Sequence, residues 1–371
     1  MLNTEKGVLM SVSFSNSIPT FPNSGQMVDP LSSSGRLIVD PRIEMVEDTF
    51  EEVMEFLDLA DLVSTVKVSL SWSDSIGKSH AWKKCTERMG IPLVVSLDGG
   101  ARNHKEDLKV MYPITLSGDM IAKTIGKPVG KTPAISEKQF LRLAQPDPWE
   151  PEKTYGQTFR FVCRYSFVER MLGGDVPLVL DELGNLVAAP KDESSSSSAT
   201  PKTPEKPKLT KIPLTLKNLR VLSQYPLKGN ENMPVFNENS YEPIFEQYDT
   251  CAPKNEVNFM RKQIVKETRN KTYVNQLALV KAKGTPELGA TPLEVRTLDC
   301  AVSILNRGTC PEDRESWTYA RASNTVYDGD SVYQTKSGGF FPGSGLRVND
   351  CNFAGGNIGV APGWACGSSG T

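Results

Sequence analysis

The sequence predicts a mainly β chain with α, an α+β organisation. An antiparallel β-sandwich comes first, and a mixed domain follows a flexible linker. Three observations carry that expectation. Short apolar runs bounded by Gly, Pro, Ser or Asp crowd residues 64–190. A Ser/Pro/Lys stretch at 191–213 breaks the chain. Two helical patterns and a Gly-rich segment come after it. At 371 residues there is material for two or three domains.

Residues 1–42 are rich in Ser, Asn, Pro and Gly, and read as an extended arm. From Ile43 the pattern changes. In IEMVEDTFEEVMEFLDLADLV, Val46, Phe50, Val53, Leu57 and Leu62 recur at helical spacing with acids between them. This predicts an acidic amphipathic helix with a break near Asp58 to Asp61, and it opens a unit spanning 43–190. Five strands are expected behind it, at 65–72, 91–97, 108–112, 158–167 and 176–180. The first and fourth alternate apolar and polar residues, as half-buried strands do. Asp98-Gly99-Gly100 and Leu183-Gly184-Asn185 read as turns.

The linker, 191–213, holds a five-Ser run and four prolines, too little apolar surface to fold alone. In the mixed helical unit, 214–310, CAPKNEVNFMRKQIVKETRNKTYVNQLALVKAKG predicts one long helix. Val257, Met260, Ile264, Leu277 and Val280 mark its apolar stripe, and Gly284 its C-cap. A second helix is expected over LEVRTLDCAVSILNR, with Thr291 as N-cap, Pro292 at N1 and Gly308 as the stop. Residues 311–371 form a Gly/Ser-rich segment, read as short strands or an extended tail.

Net charge is only −2, which excludes a uniformly basic nucleic-acid binder. The distribution is uneven. Residues 1–100 hold 8 basic and 14 acidic side chains, whereas 201–300 hold 16 and 11. The basic quarter supplies the candidate phosphate contacts: Lys202, Lys206, Lys208 and Lys211 in the linker, then Arg261, Lys262, Lys266, Arg269 and Lys271 on the expected long helix.

Chemistry of other kinds finds little footing. Only two histidines exist, His80 and His104, so a three-His metal site is excluded. The seven cysteines form no CxxC pair, which argues for reduced thiols and against a zinc ribbon. Gly126 to Thr132 resembles a phosphate loop but has three residues between its glycines where four are needed, so it reads as a surface turn. No GxSxG elbow is present, and no catalytic residue, metal ligand or cofactor is expected. No apolar run is long enough to span a bilayer, and the N-terminal residues lack the pattern of a cleaved secretory signal.

The order arm, sandwich, hinge and second domain resembles that of viral coat proteins with jelly-roll shells. More locally, VKVSLSW, GIPLVVSLDGGAR, LKVMYPITLSGDM and TFRFVCRYSF resemble the strand order of the plant-virus 30K movement proteins. Asp98 and Arg102 stand where that family has an acid closing a strand and a basic residue after it; two glycines follow Asp98 and the spacing is longer. Both likenesses imply a jelly-roll-like core. The leading expectation is a non-enzymatic, self-assembling viral coat protein of the virion or host cytoplasm, whose partners are its own copies and nucleic acid, RNA first. The alternative is a movement protein that binds single strands, and after it a cytosolic enzyme. Against a coat stands the arm itself, where residues 1–35 hold one basic side chain, Lys6.

Overall fold

The computed structural model of the chain describes Met54, Leu57 and residues 59–65, 80–174, 176–189, 206–229, 233–247, 255–310, 318–328, 331–341, 344–351 and 354–366. The expected arm, nearly all of the expected strand at 65–72 and most of the acidic helix and linker lie outside these residues. Residues 48–371 form one unit, and residues 1–47 are divided from it.

Chain order runs α1 (Leu59–Thr65), α2 (Ala81–Arg88), β1 (Val94–Val95), α3 (His104–Met111), β2 (Thr115–Leu116), α4 (Gly118–Thr124), β3 (Lys127–Val129), β4 (Ile135–Ser136) and α5 (Glu137–Leu141). It continues through β5 (Pro146–Asp147), β6 (Glu150–Thr154), α6 (Tyr155–Thr158), β7 (Phe159–Arg164), β8 (Phe167–Leu172), β9 (Leu178–Leu180), β10 (Leu186–Ala188) and β11 (Lys208–Pro213). Next come α7 (Leu216–Gln224), α8 (Glu242–Gln247), β12 (Glu256–Arg261), α9 (Tyr273–Lys283), β13 (Gly289–Ala290) and α10 (Leu293–Arg307). Five strands end the chain: β14 (Tyr319–Asp328), β15 (Ser331–Phe341), β16 (Gly345–Cys351), β17 (Ile358–Val360) and β18 (Pro362–Cys366).

This is a mixed α/β fold built on several sheets. The largest among the described residues has the order β13-β18-β12-β7-β2, antiparallel except for the β2–β7 pair. A second runs β16-β15-β14-β17, and a third β11-β8-β3. The five-stranded sheet therefore draws on both sides of the expected linker and on the Gly-rich segment, whose residues 362–366 are a strand between β12 and β13.

Several sequence expectations need correction, beginning with the linker, whose last residues, Lys208–Pro213, are strand β11 paired with β8. The long helix over 251–284 is not formed: 256–261 is a strand, a 3-10 turn follows at Lys266–Thr268, and the helix starts at Tyr273. Val257, Met260 and Ile264 fit a helical spacing, but EVNFMR equally places Val257, Phe259 and Arg261 on one face of a strand. Pairing on both edges decides for the strand, with Phe259 opposite Phe161 on β7 and Trp364 on β18. Thr272, whose side chain accepts from the Asn275 N–H, caps the true helix, and Gly284 ends it as expected. Likewise 108–112 is not a strand. Asn103 caps α3 by accepting from the Glu106 N–H, and Leu108 and Met111, one turn apart, face the core.

Both faces of the large sheet are covered, for different reasons. On one, Tyr155, Phe159, Phe161, Phe259 and Trp364 pack as a chain of rings 4.6–5.0 Å apart. Burying each of the four Tyr and Phe rings stabilises the fold by about 2–3 kcal/mol relative to exposure. Across the other lies α10, with twelve of its fifteen residues buried. Its start is one residue later than read, with Pro292 at the cap, because the Thr291 hydroxyl donates to the Ala361 carbonyl at 2.8 Å. Gly308 closes it in the left-handed region, φ 74°.

Candidate functional site: a cation–aromatic cleft

The structure distributes the nine expected basic residues instead of gathering them. Lys202 lies outside the described residues. Lys206, Lys208 and Lys211 are exposed at or on β11, where the Lys211 ammonium sits 4.2 Å from the Phe167 ring centre. Arg261 is turned inward. Only 3% exposed, it donates Nε to Asp147 Oδ2 at 3.2 Å and Nη2 to Glu150 Oε1, so its charge ties β12 to the β5–β6 hairpin. Lys262 donates to the Gln157 carbonyl at 2.8 Å, and Lys266, Arg269 and Lys271 occupy the turn before α9. With no helix spanning them, these residues do not share one helical face.

A better-built group of cations surrounds α5. The segment Ser136-Glu137-Lys138-Gln139 is a capping box: the Gln139 N–H donates to Ser136 Oγ at 3.3 Å, and the Ser136 N–H to Gln139 Oε1 at 2.8 Å. The box fixes a short helix between two stacked arginines. Just past its end, the Arg142 guanidinium lies 4.8 Å from the Trp364 ring centre. Trp364 is held in turn by Phe259, edge-on at 4.7 Å, and by Phe159 at 6.2 Å. Beside the stack opens a cleft of about 470 Å³, whose walls include Ser136, Lys138, Gln139, Glu287 and Gly289. Both Arg142 Nη atoms reach Glu287 Oε2 at 3.3 Å. The neighbouring Thr285 hydroxyl, then Arg142, hold the Glu287 carboxyl below its ordinary range.

At the other end of α5, the Arg102 guanidinium sits 5.3 Å from the Phe140 ring centre. Its nitrogens are taken by two carboxylates: Asp107 at 2.6 and 3.2 Å, and Glu137 at 2.6 Å. The Ser96 hydroxyl links Glu137 Oε2 at 3.1 Å with Asp98 Oδ1 at 2.5 Å. Ser96 first, then the Gly100 N–H, hold the Asp98 carboxyl below its ordinary range. Asp98 and Arg102, singled out by resemblance, thus belong to one network placed where the parallel strands β1 and β4 end.

Chemically, planar cations on rings, the exposed Lys138 and hydrogen-bonding Ser and Gln side chains suit planar, anionic ligands. Among the described residues, no group of three or more His, Cys, Asp or Glu side chains is placed to hold a metal ion. Sequence reasoning missed Arg142 and Trp364, which meet only through the insertion of β18 into the sheet. The Ser136–Gln139 capping box was the one local signal that could have marked the spot. Compared with known proteins, the chain matches no family model, no curated protein and no solved structure.

Proposed function

We propose that the chain is a non-enzymatic, self-associating structural protein of the viral coat type, which holds single-stranded nucleic acid, RNA first. The observation that supports this reading is the Arg142–Trp364 stack at the mouth of a cleft bordered by Lys138 and Gln139. Rings and guanidinium planes give sequence-tolerant stacking to unpaired bases, while lysines near them meet phosphate. A near-neutral chain can bind in this way because a few placed cations, and not the total charge, set the local field. In this reading the core is a jelly-roll-like shell element, and the acidic head of one copy meets the basic quarter of the next in the virion or host cytoplasm.

A second reading, a 30K-type movement protein, draws on Asp98 and Arg102 standing in one network. Light scattering and negative-stain microscopy of the full chain, with and without single-stranded RNA, separate the two. Uniform particles or filaments support the coat reading. Salt-sensitive coating of single strands without any closed particle favours movement. A small oligomer indifferent to RNA overturns both.

A further inference from the structure

The two arginines flanking α5 differ in one respect that bears on ligands. Arg102 is saturated, because Asp107 and Glu137 approach it from three nitrogens at 2.6–3.2 Å. Arg142 meets a single oxygen, Glu287 Oε2, at 3.3 Å from each Nη, longer than a well-formed charge-assisted hydrogen bond. The Glu287 side chain is also 56% exposed. The Arg142 side chain is 14% exposed, so the solvent-facing carboxylate on its long contacts is the partner that can yield to another anion. Trp364 meanwhile gives the guanidinium a second contact, 4.8 Å from its ring centre, that does not involve Glu287. The cleft has room beside it: a Cβ built on Gly289 meets no heavy atom within 4 Å. Gly363, by contrast, is fixed by the packing of strands, since its Cβ would lie 2.9 Å from the Phe259 carbonyl oxygen.

We propose that this cleft takes one unpaired nucleotide of a single strand, its base laid against the Arg142 guanidinium, and that Glu287 is a built-in competitor for that arginine. The proposal rests on the nucleic-acid reading above and names its ligand unit. Glu287 swings aside when the nucleotide enters, and Lys138 faces the departing strand's phosphate charge. Gly289 keeps the base's place open.

Competition against a fluorescent single-stranded RNA, read by anisotropy on the full chain, tests it. 5′-AMP displaces the RNA, and inorganic phosphate at equal concentration does not. Glu287→Gln tightens RNA and AMP binding by about threefold to tenfold. Gly289→Val fills the cleft without changing charge and weakens AMP by about tenfold or more. Equal displacement by AMP and phosphate would reduce the cleft to an anion site and overturn the proposal. So would RNA and AMP affinities that Glu287→Gln leaves unchanged. If Gly289→Val does not fold, the wild-type competition and Glu287→Gln still decide. Wild-type chain that binds RNA but not AMP rejects this cleft while leaving the nucleic-acid reading standing; chain that binds no RNA rejects both.

Discussion

Arg160 on β7 and Asp299 on α10 meet inside the protein, Nη1 to Oδ1 at 3.0 Å, with the acid 1% and the arginine 6% exposed. They join the large sheet to the helix that covers it. Burial raises the Asp299 carboxyl above its ordinary range, and Arg160 and Arg296 pull it back. Such a pair contributes little beyond what a well-packed apolar pair would, yet breaking it is costly. Asp299→Asn should therefore lose about 3–5 kcal/mol in urea unfolding. Arg160→Met combined with Asp299→Leu should recover most of that loss. A single variant as stable as the wild type would remove the pair from the account of what holds α10.

His104 gives the fold an acid-side sensitivity. Burial first, then Lys83 and His80, hold its imidazole below the ordinary value of 6.5, against the pull of Asp107. The folded chain thus takes up this proton less readily than the unfolded chain. Its contribution is complete above the unfolded value and is lost as pH falls through the folded one. Urea midpoints between about pH 7.5 and 5.5 should decline in the wild type and flatten in His104→Gln. Parallel curves would assign the decline to other groups.

Gly338 in β15 has φ 144°, where a side chain is strained, and a Cβ there would run into the Thr318 carbonyl. Gly338→Ala should cost at least about 2 kcal/mol, read as a lowered melting temperature. Val332 in the same strand, at ordinary φ and 55% exposed, offers the control site.

Thiol reactivity follows burial. Cys85, Cys163, Cys300, Cys310, Cys351 and Cys366 are buried thiols, and burial pushes the Cys366 thiol up to about 12. With seven cysteines in the chain, at most one should react promptly with a thiol reagent in the native protein. All seven should react once denaturant is added. Several fast native thiols would contradict this packing.

Legibility in the sequence was uneven, and the unevenness has physical causes. Caps were readable because they are local: Gly308 and Gly284 stop their helices, and Asp181 makes the turn at Leu183 to Asn185 by accepting two backbone N–H groups. Strand 158–167 was readable from alternation, as β7 bears out over Phe159–Arg164. By contrast, EVNFMR satisfied both periods, and only its neighbours β7 and β18 settle the choice. Charge misled at Arg261, where a cation counted toward the surface is consumed by Asp147 and Glu150 inside. The Arg142–Trp364 stack left no local trace beyond the Ser136–Gln139 capping box, since its partners come from distant segments and the ring sits in a Gly-rich stretch.

The place of β18 between β12 and β13 reaches into the order of events at synthesis. The large sheet cannot be completed on the ribosome until residues 362–366 have emerged, because its strand at 256–261 waits for them along one edge. Until then Phe259 lacks Trp364, and an open strand edge stands exposed to neighbouring nascent chains. Long-range closure of this kind is slow. A chain that stalls short of residue 362 therefore presents a sticky, half-made sheet, and cells making it in quantity will show whether chaperones must cover that interval.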